Sequence, residues 1–188
     1  MKSFANTGTI AAGEPLAADS ITELHAGRLL LLVRYCGVTG KDDGVSQIEG
    51  LTKLAKLDFF VRYPDALIRV AAHLKKSVRI ASSSIESPMV RHHYGPWDKR
   101  YYQVLPFLEA RRLISVTQQR DTITFSLTDT GKQIAEQLGE RAEFKELRQQ
   151  MGEVKKVLGS KSGNYIKNLI YEIFTDEVAD RRLGELIR

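Results

Sequence analysis

Residues 97–138 read WDKRYYQVLPFLEARRLISVTQQRDTITFSLTDTGKQIAEQL, and the fold turns on how this stretch is parsed. Tyr101, Val104, Leu105, Leu108 and Arg112 recur at three- and four-residue steps. That spacing predicts a helix over 97–112 with one apolar stripe and a polar end. A strand over 113–119 follows, then a charged turn at Arg120-Asp121. In 122–127 a second strand places Ile123, Phe125 and Leu127 on one face and Thr122, Thr124 and Ser126 on the other. Thr128-Asp129-Thr130-Gly131-Lys132 then opens another helix. The unit is helix, tight hairpin, helix.

Upstream, Asp19 or Ser20 is placed to cap a helix running to about Cys36, with Glu23 completing a capping box. Leu24, Leu29, Leu30, Leu31, Leu32, Val33 and Tyr35 leave that helix little polar surface, so it must be central. Gly37 stops it, and 38–50 reads as a polar, glycine-punctuated loop. Gly40-Lys41 lacks the earlier glycine and the following Ser or Thr of a phosphate loop, so no nucleotide site is expected there. In 51–63 the residues Leu51, Leu54, Leu57, Phe60 and Val61 form an inward stripe, with Lys53 and Lys56 expected on the outer side. Pro64 ends that helix. A further amphipathic helix is predicted over 65–76 through Leu67, Ile68, Ala71 and Leu74, and Val78, Ile80 and Ile85 suggest a short strand and loop around Ser82-Ser83-Ser84.

Beyond the central unit, Phe144, Leu147, Met151, Val154 and Leu158 alternate three- and four-residue steps. Two heptads fit either a helix packed across its own domain or a seam for a second copy or a partner. Gly159 to Gly163 interrupts the chain. Ile166, Leu169, Ile170 and Ile173 then predict a helix over 164–174, and 178–187 reads as a short terminal helix.

Composition bounds what such a chain can be. With 188 residues, 43% hydrophobic and 27% charged, it can bury a sizeable core in one domain with a helical extension. Residues 1–19 show neither period and read as a flexible arm. The single cysteine, Cys36, can form no internal disulfide and lies on an apolar stripe, where it suits a small core position. No apolar run reaches the ~18 residues of a membrane span. The N-terminal residues make a poor signal peptide, so a cytoplasmic location and no membrane partner are expected.

Charge is unevenly spread. The formal net charge is +5, and between residues 89 and 120 the cations Arg91, Lys99, Arg100, Arg111, Arg112 and Arg120 face only Asp98 and Glu109. Beyond residue 138, ten basic and nine acidic residues nearly balance. A solvated helix face is the competing reading of the 89–120 bias. Trp97, Tyr101 and Tyr102 beside these cations suit a protein interface, where aromatics and arginine are enriched. The adjacent His92 and His93 would point to opposite faces of a strand and lack a second ligand pair, so packing or partner contact is the preferred reading and no metal site is expected. No serine-nucleophile, zinc-helix or phosphate-loop motif occurs, and no paired carboxylates stand out. The reading is of a non-enzyme with no catalytic residues, no cofactor and no small-molecule substrate.

Two resemblances sharpen this. Residues 105–114 (LPFLEARRLI) with 125–132 (FSLTDTGK) resemble the third helix, wing and following helix of winged-helix regulators of the PadR and MarR type. The implied architecture is mainly α with a small β-hairpin (α+β): a winged-helix-like domain over 20–138 and a C-terminal helical extension over 139–188. Residues 51–64 (LTKLAKLDFFVRYP), 91–102 (RHHYGPWDKRYY) and 169–174 (LIYEIF) resemble the small middle component of prokaryotic ABC-type three-component systems, among them the Lamassu anti-phage defence operons. Thr175-Asp176 departs from that pattern, where a proline and an acid are expected. This resemblance implies a non-catalytic accessory subunit joining an SMC-like ATPase to an effector, often a nuclease, in antiviral defence. Double-stranded DNA would be a further partner.

The candidate DNA- or partner-binding residues are Lys53, Lys56, Arg91, Trp97, Lys99, Arg100, Tyr101, Tyr102, Arg111, Arg112 and Arg120. The alternative is a stand-alone winged-helix transcription regulator, a homodimer reading an operator through 97–112. That segment offers few base-reading amides beyond Gln103.

Overall fold

A computed structural model describes residues 21–40, 44–80, 89–92, 95–174 and 186–187. The fold is α+β and mainly helical. Helices α1 (Thr22–Cys36), α2 (Leu51–Arg62), α3 (Pro64–His73), α4 (Tyr101–Ala110), α5 (Asp129–Glu140), α6 (Lys145–Leu158) and α7 (Gly163–Ile173) accompany strands β1 (Val38–Thr39), β2 (Ser46–Glu49), β3 (Met89–His92), β4 (Gly95–Trp97), β5 (Ile114–Gln119), β6 (Thr122–Leu127) and β7 (Leu186–Ile187).

The expected hairpin is present as β5 and β6, paired from Ile114↔Leu127 to Gln119↔Thr122 around the Arg120-Asp121 turn. It belongs to a larger antiparallel sheet of order β1-β2-β6-β5. The loop expected over 38–50 therefore holds two short strands. Register explains the sheet's two faces. Ile48 lies opposite Phe125, which lies opposite Val116, making one core-facing row, while Gln47, Ser126 and Ser115 form a polar row on the other side. Thr128 caps α5, its Oγ1 accepting from Gly131 N–H at 2.9 Å and donating to Arg112 O at 2.6 Å. Gly131 is required there, because a Cβ would drive into the carbonyl of Leu113.

Helix α1 is central, with His25, Ala26, Arg28, residues 29–33 and Cys36 all buried. Leu24, by contrast, is exposed. The N-cap is Ile21, which makes no side-chain cap hydrogen bond, and Asp19 and Ser20, on which the expected capping box rests, lie outside the described residues. Cys36 fills a core position as expected and donates through Sγ to Met151 O at 3.3 Å. Burial pushes its thiol pKa up.

Helix α2 is buried from Lys53 through Arg62, because α1, α3, α6, α7, β2 and β4 surround it. An element enclosed on every side has no outer face for charge. Met151, Val154, Val157 and Leu158 of α6 are fully buried in the same hydrophobic core as α1 and α2, so the seam residues Met151, Val154 and Leu158 pack within the chain. Phe144 and Leu147 are half-buried and adjoin that core. A 3-10 turn at Ala142–Phe144 separates α5 from α6.

Other boundaries differ from expectation for local reasons. Helix α4 starts at Tyr101, not Trp97, because Gly95–Trp97 pairs with β3. Leu186–Ile187, the end of the segment expected as a terminal helix, pairs with Met89 and Val90 as strand β7, and the rest of that segment lies outside the described residues. Residues 76–80 are not a strand, and the serine-rich 82–84 stretch also lies outside. Among the described residues no helix is long and apolar enough to cross a membrane.

Candidate interaction surface

The turn Asp98-Lys99-Arg100, helix α4 and the β5–β6 hairpin form a continuous piece of chain, and it exposes five of the eleven residues expected at the surface. Lys99, Tyr102, Arg111, Arg112 and Arg120 are exposed, Tyr102 at 61%. The Arg111 guanidinium lies 5.0 Å from the Phe107 ring centre, a cation held over an aromatic face. Arg112 ends α4 in the left-handed region, with φ of 55°. Its N–H donates to Glu109 O and that of Leu113 to Leu108 O, the paired bonds that close a helix on a left-handed residue. Arg120 takes the first position of the hairpin turn with φ of 52°.

Four expected surface residues are buried. Lys53 donates from Nζ to Gly159 O at 2.9 Å, satisfying a carbonyl just past the end of α6, where unpaired carbonyls and the helix dipole favour a cation. Burial, with Glu49 opposing, lowers its pKa. Lys56 has no solvent exposure. Its Nζ donates to Pro96 O at 2.8 Å and lies 5.7 Å from the Trp97 ring centre. Burial, aided by the positive charge of Lys167, pulls its pKa down to about 7. Trp97 is a core residue on β4, edge-on to Tyr101 with ring centres 5.6 Å apart. Tyr101, also buried, donates from its hydroxyl to Asp58 Oδ2 at 2.7 Å. Its own pKa is raised, first by burial and then by the Asp58 charge. Arg91 sits on β3 through its backbone, and its side chain lies outside the described residues, as does His93.

Beneath the surface lies an ionic cluster that sequence reasoning does not foresee. Asp58 accepts from Arg28 Nε at 2.8 Å and Nη2 at 3.3 Å, and Arg62 Nη1 stands 3.8 Å from its Oδ2. Arg62 Nη1 also donates to Asp98 Oδ2 at 2.8 Å. Asp98 accepts from Arg100 as well, from Nη2 at 2.7 Å, Nε at 2.8 Å and the backbone N–H at 2.9 Å. Burial alone would raise the Asp98 pKa. The hydrogen bonds from Arg100 and the charges of Arg100 and Arg62 outweigh that and hold it at about 2. His25 contacts Arg28 Nη1 through Nδ1 at 3.1 Å and Arg100 Nη1 through Nε2 at 2.9 Å.

The cluster locks α1, α2 and the entry to α4 together. It also pins Arg100, whose side chain is 25% exposed, as the cation that joins core to surface. One signal is present in the sequence: Asp58 and Arg62, four residues apart, sit in line with the apolar positions of α2.

Two further concavities among the described residues are mainly polar. A cleft of about 230 Å³ lies between Arg34, residues 44–46 and the start of α5, and a wider trough of about 470 Å³ runs over Gln47, Glu49, Ser115, Thr117, Gln119, Thr124 and Ser126. Among the described residues no three His, Cys, Asp or Glu side chains group to hold a metal ion. Comparison with known proteins identifies no relative: no family model, no curated protein and no solved structure matches the chain.

Proposed function

We propose that this chain is a non-catalytic accessory subunit. In this reading it bridges an SMC-like ABC ATPase and an effector, such as a nuclease, in an anti-phage or anti-plasmid defence complex, and its helix–hairpin–helix unit is a winged-helix-like module that presents the contact surface. The observation that carries the proposal is the exposed ridge of Lys99, Tyr102, Arg111, Arg112 and Arg120 on a frame anchored by the Asp98–Arg100 and Asp98–Arg62 pairs. An exposed aromatic beside Lys99 at the start of α4, with exposed arginines past its end, supplies residue types enriched at protein interfaces. The exposed side of α4 offers Tyr102, Gln103, Pro106, Glu109 and Ala110, with a single amide for reading base edges. That favours an adaptor over a stand-alone operator-binding regulator.

The test is co-purification. The tagged full chain, expressed from its native operon, is expected to bring down a large ATPase with coiled-coil arms. The double variant Arg111→Glu with Arg112→Glu is expected to stay folded and lose that ATPase, since the cation pair meets an acidic partner face. A chain that elutes alone as a homodimer, or a double variant that keeps the ATPase, defeats the reading.

A further inference from the structure

Away from the hairpin, a second set of cations comes from two elements far apart in sequence. The segment after α3 supplies Lys75, Lys76 and Arg79, and α6 supplies Arg148, Lys155 and Lys156, all exposed. Hydrogen bonds lay the segment along the helix. Lys76 Nζ donates to Val157 O at 3.0 Å, Lys156 Nζ to Ser77 O at 2.9 Å and Gln149 Nε2 to Arg79 O at 3.2 Å. Arg148 and Lys155 are two turns apart and share a stripe of α6.

The acids on this face are Glu153, 3.5 Å from Lys156 Nζ, and Glu146, which lines a shallow recess with Ile80, Gln149 and Gln150. Lys75, Arg79, Arg148 and Lys155 have no ion-pair partner among the described residues. Among the described residues the face therefore carries more cations than acids.

The backbone adds a separate observation. Lys75 ends α3 with φ of 54°, its N–H donating to Ala72 O at 3.0 Å and that of Lys76 to Ala71 O at 2.8 Å. Glycine is the low-energy residue in that position, and a lysine there lowers local stability. Lys75 is exposed, so this conformation presents its ammonium group to solvent on the same face.

We propose that this face binds the sugar–phosphate backbone of double-stranded DNA. The cations are mostly lysines, and the positions between them, Ser77, Gln149 and Gly152, are small or polar. Protein interfaces are poor in lysine and rich in aromatics, as on the α4 ridge, whereas phosphates are positioned by point charges with little demand on shape. From Arg148 to Lys156 the helix extends about 12 Å at ~1.5 Å per residue, enough to follow several phosphates at the ~3.4 Å axial spacing of one strand. The inference goes beyond the adaptor reading and stands without it.

The experiment is fluorescence anisotropy of the full chain with a labelled duplex of arbitrary sequence over a series of salt concentrations. The wild type is expected to bind, and the triple variant Arg79→Gln, Arg148→Gln, Lys155→Gln to bind at least about tenfold more weakly, with the slope of log affinity against log salt reduced by roughly 2–3. The ridge variant Arg111→Glu with Arg112→Glu is expected to bind the duplex as the wild type does, which separates this site from the protein-binding ridge. Lys75→Gly is expected to weaken binding while raising Tm by about 2 °C. The proposal is overturned if the wild type fails to bind, if the triple variant binds like the wild type, or if only the ridge variant loses the duplex. Tighter binding of a polyglutamate peptide than of the duplex, abolished in the triple variant, would make the face a protein site and overturn it equally.

Discussion

The Tyr101 hydroxyl donates to Asp58 Oδ2 over 2.7 Å, tying the first turn of α4 to the middle of α2 where neither residue meets solvent. Asp58 shares that carboxylate with Arg28, and Arg62 stands 3.8 Å away. Removing one member of such a cluster leaves the others buried and uncompensated. Asp58→Ala is expected to lose about 3–5 kcal/mol of unfolding free energy, because the buried Arg28 guanidinium loses the carboxylate it grips and Arg62 keeps only Asp98. Tyr101→Phe removes one hydrogen bond to a charged group and is expected to cost about 1.5–3 kcal/mol. Urea unfolding measures both, and an Asp58→Ala loss under about 1 kcal/mol would mean the cluster does not hold the helices.

Asp98 sets the acid limit. Its folded pKa of about 2 lies below the ordinary 3.8, so the ionised form is favoured by folding. That stability is present above about pH 4 and is lost as pH falls through about 2. The full contribution is on the order of 2 kcal/mol, because stability changes by ~1.4 kcal/mol per pH unit between the folded and unfolded pKa. Asp98→Asn is expected to flatten the stability–pH curve in this window, as read from urea midpoints between about pH 4 and 2. An unchanged curve would show that Arg62 and Arg100 do not favour the ionised carboxylate.

Lys56 acts at the other end of the scale. Its folded pKa is lowered from 10.5 to about 7, so between those values the unfolded chain binds more protons than the folded one. Stability is therefore expected to rise with pH through that window, by at most ~1.4 kcal/mol per pH unit. Tyr101 opposes this above its ordinary 10.0, because its raised folded pKa makes its contribution fall once the unfolded phenol ionises. Cys36, whose thiol pKa burial also raises, opposes the climb above its ordinary 9.0, so the expected curve climbs from neutrality and turns over between about pH 9 and 10. Lys56→Met is expected to reduce the climb to the part that Lys53, whose pKa burial also lowers, contributes; a variant that gains as much stability from pH 7 to 9 as the wild type would assign the effect elsewhere.

These residues also show where sequence reasoning stops. The hairpin is legible because Ile123, Phe125 and Leu127 alternate with hydroxyl residues beside a two-residue turn. Helix α2 is legible in extent, since Pro64 closes it, but not in orientation. Lys53 and Lys56 read as solvent-facing because charge usually faces out, whereas α2 is enclosed and their amines reach backbone carbonyls across the core. Strands β1 and β2 carry too few residues to show a period, and β2 becomes a strand only by pairing with β6. Trp97 groups with the helix that follows because an aromatic before a cationic turn fits a helix start, and only pairing with Val90 puts it on a strand. Lys99, Tyr102, Arg111, Arg112 and Arg120 lie at the surface as expected, since local spacing alone leaves most of them off the apolar stripe. The α3–α6 cation face is not legible, because near balance of charge along 139–188 hides how cations gather in space.

Backbone strain supplies the last test. Among the described residues the non-glycine positions with positive φ are Lys75, Arg112 and Arg120, all cations at places where glycine would be cheaper. The hydrogen bond from Thr128 Oγ1 goes to the Arg112 carbonyl, so it survives any side-chain change. Arg112→Gly and Arg120→Gly are each expected to raise stability by about 0.5–1 kcal/mol, a Tm gain of roughly 2 °C, through relief of the left-handed conformation. Under the proposed function both are expected to weaken capture of an ATPase partner, whereas Arg112→Ala should weaken capture with no gain in Tm, since alanine keeps the strain. Stability rising as binding falls would identify these cations as residues kept for contact at a cost to the fold. If Arg112→Gly instead lowers Tm and leaves capture intact, its guanidinium serves the chain's own packing and the ridge loses its central member.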